Sequence, residues 1–221
     1  MEYGADRHQR RSIRLAGYDY TQAGTYFVTI CAEDRECVLG EVVADEMMPN
    51  DAGTIALAVW NDLPRHYAHV QVDAFVVMPN HVHGIIVLTD DVDANVGAGV
   101  VGADAVGLGV GAGLKPAPTA DVRRHGLPEV VRAFKTFSAR RINELRGTPG
   151  VRVWQRNYYE HVIHNAAALE RIRAYIETNP ERWALDQENV QRNGLDRLEG
   201  WIYSSPAGKE GKPLASIEKR R

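Results

Sequence analysis

The chain has 221 residues, enough for one well-cored domain with length left for an insertion or a tail. Its 44% hydrophobic and 25% charged residues are those of an ordinary globular protein, and no run approaches the roughly 18 apolar residues of a membrane span. The first fifteen residues carry charge without an apolar stretch behind them, which predicts no signal peptide and a cytoplasmic protein. A formal net charge of −3 gives no overall pull toward nucleic acid, but base and acid are segregated. Arg10, Arg11 and Arg14 open the chain, and Arg124, Arg132, Lys135, Arg140 and Arg141 share one largely helical stretch. Gripping a few phosphates requires a basic face rather than a basic total, although a solvated helix face is the ordinary alternative.

In chain order, residues 25–31 (TYFVTIC) are β-branched and aromatic and predict a buried strand, with residues 37–43 as its partner across a charged turn. Cys31 and Cys37 read as two reduced thiols. Asn50 offers a helix N-cap, and Ile55, Val59 and Leu63 recur at helical spacing. Residues 72–78 and 83–88 predict two more strands joined by a tight turn at Pro79-Asn80. From 90 to 122, Gly, Ala and Val dominate with no period that could pack, which predicts a flexible insertion. Residues 128–145 then form an amphipathic helix, and Asn165 caps another over 166–178 that stops at Asn179-Pro180. The order of elements predicts an α+β sandwich, a mostly antiparallel sheet with helices on one face, as a single domain over 1–183. Residues 184–221 are expected to be a tail packed on that domain or extending from it.

Two patterns carry chemistry. In Met78-Pro-Asn-His-Val-His-Gly84, strand alternation projects His81 and His83 from one face while Val82 points to the other. Paired imidazoles on a rigid strand suit a divalent metal; a surface hairpin that happens to carry two histidines is the alternative. In Tyr175-Ile-Glu-Thr-Asn179, residues four apart share a helix face, so the phenol and the carboxamide reach the same spot. A phenol, with its pKa of about 10, can act as a covalent nucleophile when the electrophile is polarised, as a metal on phosphate oxygens would do. Asn179 is then a third, oxygen-donating ligand, the C-cap before Pro180, or both together, and Tyr175 taken alone reads as a packing residue. Tyr158 and Tyr159 compete for the catalytic role, but their short aromatic setting suits structure or DNA contact. Trp154 or Tyr158 would stack on a base there, with Arg156 a further DNA-binding candidate. No P-loop, Cys-x-x-Cys pair or Ser-His-Asp order is present.

In this order, Arg11-Ser-Ile-Arg-Leu15, residues 24–30, residues 78–84, Phe134-Lys-Thr-Phe137, Val153-Trp-Gln-Arg156, Tyr159-Glu-His161 and Tyr175 to Pro180 resemble the REP-associated tyrosine transposases. These are relatives of the single-tyrosine, HUH-class transposases of small insertion sequences. The resemblance runs from about residue 11 to 183 and leaves out the insertion and the tail. It implies a ferredoxin-like fold with His81 and His83 on a central strand, Tyr175 as nucleophile, and Asn179 where related enzymes place a polar third ligand, usually glutamine. It further implies Mg²⁺ or Mn²⁺, single-stranded DNA with hairpin repeats as partner, and cleavage with strand transfer through a 5′-phosphotyrosine. The expected assembly is a monomer or homodimer without a membrane. Two other readings accompany it: a DNA or RNA hairpin-binding regulator that does not cleave, and a zinc hydrolase that activates water.

Overall fold

Alternation along Gly24–Cys31 gives strand β1 two working faces. Tyr26, Val28 and Ile30 enter one apolar cluster and Phe27 enters another. The computed structural model describes residues 18–90 and 125–194, together with 196, 200 and 202. β2 (Gly40–Val43) and β3 (Glu46–Pro49) follow, then helix α1 (Asp51–His66), β4 (Val70–Val77), β5 (His81–Leu88), α2 (Leu127–Arg146), β6 (Tyr159–Ile163) and α3 (Ala166–Glu177). The main sheet has the order β4-β5-β1-β6, with every neighbouring pair antiparallel. Removing the β2–β3 hairpin leaves β-α-β-β-α-β with both crossovers spanning a central strand, the split arrangement of ferredoxin-like folds. The expected α+β class and antiparallel sheet are what the chain adopts.

The stretch expected to partner the first strand does not do so. Gly40–Val43 pairs with Glu46–Pro49 in a separate two-stranded sheet. Both edges of β1 are already taken by β5 and β6, and the local chain closes on itself through Ala44 (φ 50) and Asp45 (φ 65). Two successive left-handed residues form the tight hairpin turn whose twist matches its strands.

α1 begins where Asn50 Oδ1 accepts from the N–H groups of Ala52 (2.9 Å) and Gly53 (3.1 Å). Ala52, Ala56, Val59, Trp60 and Leu63 then recur every three or four residues and are buried. α2 buries Val130, Val131, Phe134, Ser138 and Ile142 on the same sheet face and ends at Gly147 in the left-handed region, φ 64. Gly84 fixes the fit of α1. A Cβ there would lie 2.4 Å from the Trp60 ring, which stacks on Phe75 at 4.4 Å between centroids.

α3 lies on the opposite face, where Ile172, Tyr175 and Ile176 meet Phe27 and Ile85. The two crossover helices therefore share one face, as expected, and a third helix closes the other. A 3-10 turn, Pro180–Leu185, carries the chain back over this second face. Asp186, Glu188, Asn189 and Ile202 are buried beyond it, and the Ile202 carbonyl accepts the Tyr159 hydroxyl at 2.8 Å. Among the described residues no helix is long and apolar enough to cross a membrane. Arg10, Arg11, Arg14 and Arg124, most of the 90–122 insertion and residues 203–221 lie outside the described residues.

A candidate metal and tyrosine centre

The register of β1 and β5 sets Thr29 opposite His83 and Cys31 opposite His81. Because alternate strand residues share a face, both imidazoles leave β5 on the α3 side while Val82 joins the apolar cluster beneath α1 and α2. Both are fully buried, with their Nε2 atoms 3.0 Å apart. The outer nitrogens are held from behind: His81 Nδ1 lies 2.8 Å from Asn80 Oδ1, and His83 Nδ1 lies 2.9 Å from the Thr29 hydroxyl.

Three further side chains converge on the pair. Tyr175, 1% exposed on α3, brings its hydroxyl to 3.1 Å from His83 Nε2. Asp186 Oδ2 lies 3.6 Å from His81 Nε2 and 3.9 Å from His83 Nε2. Asn179 Nδ2 donates to that same oxygen at 3.3 Å, and Asn179 Oδ1 is buried with no hydrogen-bond partner. α3 is anchored for this purpose by Arg173, whose guanidinium bonds both oxygens of Asp73 on β4 at 2.6 and 3.0 Å. Asp73 sits where the β4–β5 register slips between Val72 and Phe75, the kind of irregularity that re-aims a side chain.

The electrostatics favour a cation. Burial pushes the His81 imidazole down to about 3, against the pull of Asp186, so it is neutral near pH 7. Burial opposes ionisation of Asp186, yet the facing imidazoles and the Glu188 N–H, 2.7 Å from Oδ1, hold its carboxyl below the ordinary range. A carboxylate, two imidazoles and an orphaned amide oxygen thus crowd a space with few donors. His81, His83 and Asp186 form a buried group able to hold a metal ion, each offering one ligand atom within 4.8 Å of the others.

Sequence reasoning found His81, His83, Tyr175 and Asn179, and the fold brings all four together. It missed Asp186, Asn80 and Thr29. Thr29 was accessible through strand alternation, and Asn80 through its place directly before His81. Nothing in the spacing of 180–189 points to Asp186.

The expected DNA-contacting residues divide differently. Trp154 is 5% exposed, packs 5.5 Å from Phe134 and donates its Nε1–H to Ser138 at 2.8 Å, so its ring belongs to the core and offers no face to a base. Lys135 holds the carbonyls of Gln155, Arg156 and Asn157 and lies 5.3 Å over the half-buried Tyr158 ring. Arg132, Arg140, Arg141 and Arg156 are exposed; Arg132 pairs with Glu129 and Arg140 with Glu144 along α2. Their pairing on the helix surface is what a solvated face also shows.

Fold and site together define an α+β protein with a buried His-His-Asp-Tyr centre on one face of an antiparallel sheet. The chain is 36% identical over 189 residues to an uncharacterized protein of Haemophilus influenzae, an alignment spanning 84% of this chain and 96% of that one. It belongs to the family of that protein. No protein-family model matches the chain. Among solved structures it is similar to a REP-associated tyrosine transposase bound to a REP hairpin (18% identical, 75% of this chain, 71% of that one, TM-score 0.45). It is also similar to a candidate transposase of Deinococcus radiodurans (19% identical, 73% and 92%, TM-score 0.40).

Proposed function

We propose that this protein is a metal-dependent, single-strand DNA endonuclease and strand transferase acting beside hairpin-forming repeats. The observation that carries the reading is the Tyr175 hydroxyl 3.1 Å from His83 Nε2, beside a buried His-His-Asp group able to hold a metal ion. His81, His83 and Asp186 would hold Mg²⁺ or Mn²⁺, with the Asn179 amide oxygen as a further donor. The ion would polarise a scissile phosphate and offset the charge gathering on its oxygens.

The chain's own residues do the rest. The Asp73–Arg173 pair holds α3 against β4, so that Tyr175 keeps its place beside the histidines. The phenol oxygen attacks phosphorus, the bond from phosphorus to the 3′ oxygen breaks, and the phenolic proton passes through water to that leaving oxygen. The products are a 5′-phosphotyrosine and a free 3′-OH. Reversal by that hydroxyl, or by another, rejoins strands with no external energy source. His81, His83, Tyr175, Asn179 and Asp186 all belong to one chain, so a monomer supplies a whole centre. The exposed arginines of α2, and those of the first fourteen residues, would hold phosphates.

The burial of Tyr175 favours a second reading, a hairpin-binding regulator that does not cleave. A phosphate reaches the hydroxyl only after the side chains that bury Tyr175 move aside. One experiment separates the two. Labelled single-stranded oligonucleotides covering repeats that flank the gene are mixed with protein and Mn²⁺ and run on a denaturing gel. Label retained by the wild type and lost in Tyr175→Phe supports transesterification. Native binding without adduct favours the regulator, and cleavage without adduct favours water activation by a metal.

A further inference from the structure

We infer that Asn80 is a positioning residue that presents His81 to the centre through Nε2 and ties the Asp186 segment to the histidine strand. The inference rests on the proposed reading that the centre holds a divalent cation.

The Asn80 side chain is fully buried and its hydrogen bonds leave one orientation. Nδ2 donates to two main-chain carbonyls, Arg35 at 3.2 Å and Glu188 at 2.8 Å. A flipped amide would set its oxygen against both acceptors, so Oδ1 faces His81. Oδ1 is an acceptor only; the proton of a neutral His81 is therefore on Nδ1, 2.8 Å away. The lone pair is left on Nε2, which faces His83 and Asp186. His83 is treated differently. Its Nδ1 meets the Thr29 hydroxyl, which can donate or accept and so imposes neither tautomer.

The same carboxamide assembles the site. The Glu188 carbonyl that it binds lies two residues from Asp186, and the Glu188 N–H holds Asp186 Oδ1 at 2.7 Å. The Glu188 carboxylate meets Arg35 at 2.7 Å, so the segment is fastened to Asn80 by its main chain and to the Arg35 turn by its side chain. Asn80 is itself fixed to the sheet, its carbonyl accepting the Ala32 N–H at 2.8 Å. One residue thus joins two stretches far apart in sequence that carry the candidate ligands.

The test uses the full chain labelled with ¹⁵N in its histidine rings and free of metal. Long-range ¹H–¹⁵N spectra report which ring nitrogen carries the proton, with the His81 signals identified by their loss in His81→Gln. The wild type is expected to show His81 protonated on Nδ1, and Asn80→Ala to shift it toward Nε2. Mn²⁺ alone should bind Asn80→Ala roughly 10- to 100-fold more weakly, followed by water-proton relaxation. Asn80→Asp keeps an acceptor for His81 but no donor for Arg35 and Glu188. It should retain the Nδ1 proton while amide exchange at 186–189 quickens. A wild-type His81 protonated on Nε2, or one unmoved in Asn80→Ala, overturns the inference. The wild-type spectrum decides the point even if Asn80→Ala fails to fold. Expected tautomers with no Mn²⁺ binding to the wild type would sink the cation reading and leave the orienting role of Asn80 standing.

Discussion

The two faces of the main sheet are built from the same strands and do opposite work. Beneath α1 and α2, Tyr26, Val28, Ile30, Val82 and Ile86 interdigitate with Trp60 and Phe134, and shape decides what fits. Beneath α3 and the 180–189 segment, Thr29, His81, His83, Tyr175 and Asp186 lie equally buried, and hydrogen bonding and charge decide. On β5, His81, Val82 and His83 are consecutive, so the alternation that supplies a core residue also supplies two candidate ligands. A rigid apolar face is what allows the other to hold polar groups within a few tenths of an ångström.

If the faces are separable in this way, substitutions on each should leave the signature of the other intact. The largest effect is expected at Tyr175→Phe, which should reduce covalent adduct to background on a denaturing gel while native gel shifts with hairpin DNA persist. An active Tyr175→Phe protein would break the comparison at once. On the apolar face, Phe134→Ala should cost about 3–5 kcal/mol in a urea unfolding series while the fraction still folded binds Mn²⁺ as before. Asp186→Asn should weaken Mn²⁺ binding roughly 10- to 100-fold, read by titration calorimetry, with little change in unfolding midpoint. A drop in stability as large as that of Phe134→Ala would place Asp186 among packing residues instead.

A smaller effect is expected from pH. Burial, with the nearby His164 adding to it, lowers the pKa of His161 below 6.5 in the folded protein. The unfolded chain therefore takes up that proton first. The contribution of His161 is full above about pH 6.5 and is lost as pH falls toward its folded value. Urea midpoints at pH 7.5 and 5.5 should differ more in the wild type than in His161→Gln. The smallest change should come from Arg140→Ala with Arg141→Ala, which should lower the salt dependence of hairpin binding by about two phosphate contacts and leave cleavage of bound DNA unaltered.

Much of this was legible in the linear chain. Residues whose role follows from period alone, such as Val59 and Leu63 on α1, Phe134 on α2, and the alternation of His81 and His83, are local facts about helices and strands. The Tyr175–Asn179 pair, one helical turn apart, is another. Trp154 was misread for the opposite reason: an aromatic residue among polar neighbours looks like a stacking platform until Phe134 and Ser138 close around it.

By itself the sequence determined the strands β1, β4 and β5, the three long helices and the sharing of one face by the two histidines, because short-range geometry repeats every two or 3.6 residues; the short strands β3 and β6 carried no such signal. Only the tertiary structure decided that residues 40–43 pair with their own hairpin, that α3 crosses to the histidine side, and that Asp186 completes the buried group. Those outcomes depend on which strand edges are free and on hydrogen bonds such as Asn80 to Glu188, made between residues more than a hundred positions apart. No periodicity encodes such a contact, since it is selected by the closing of the whole chain around its core.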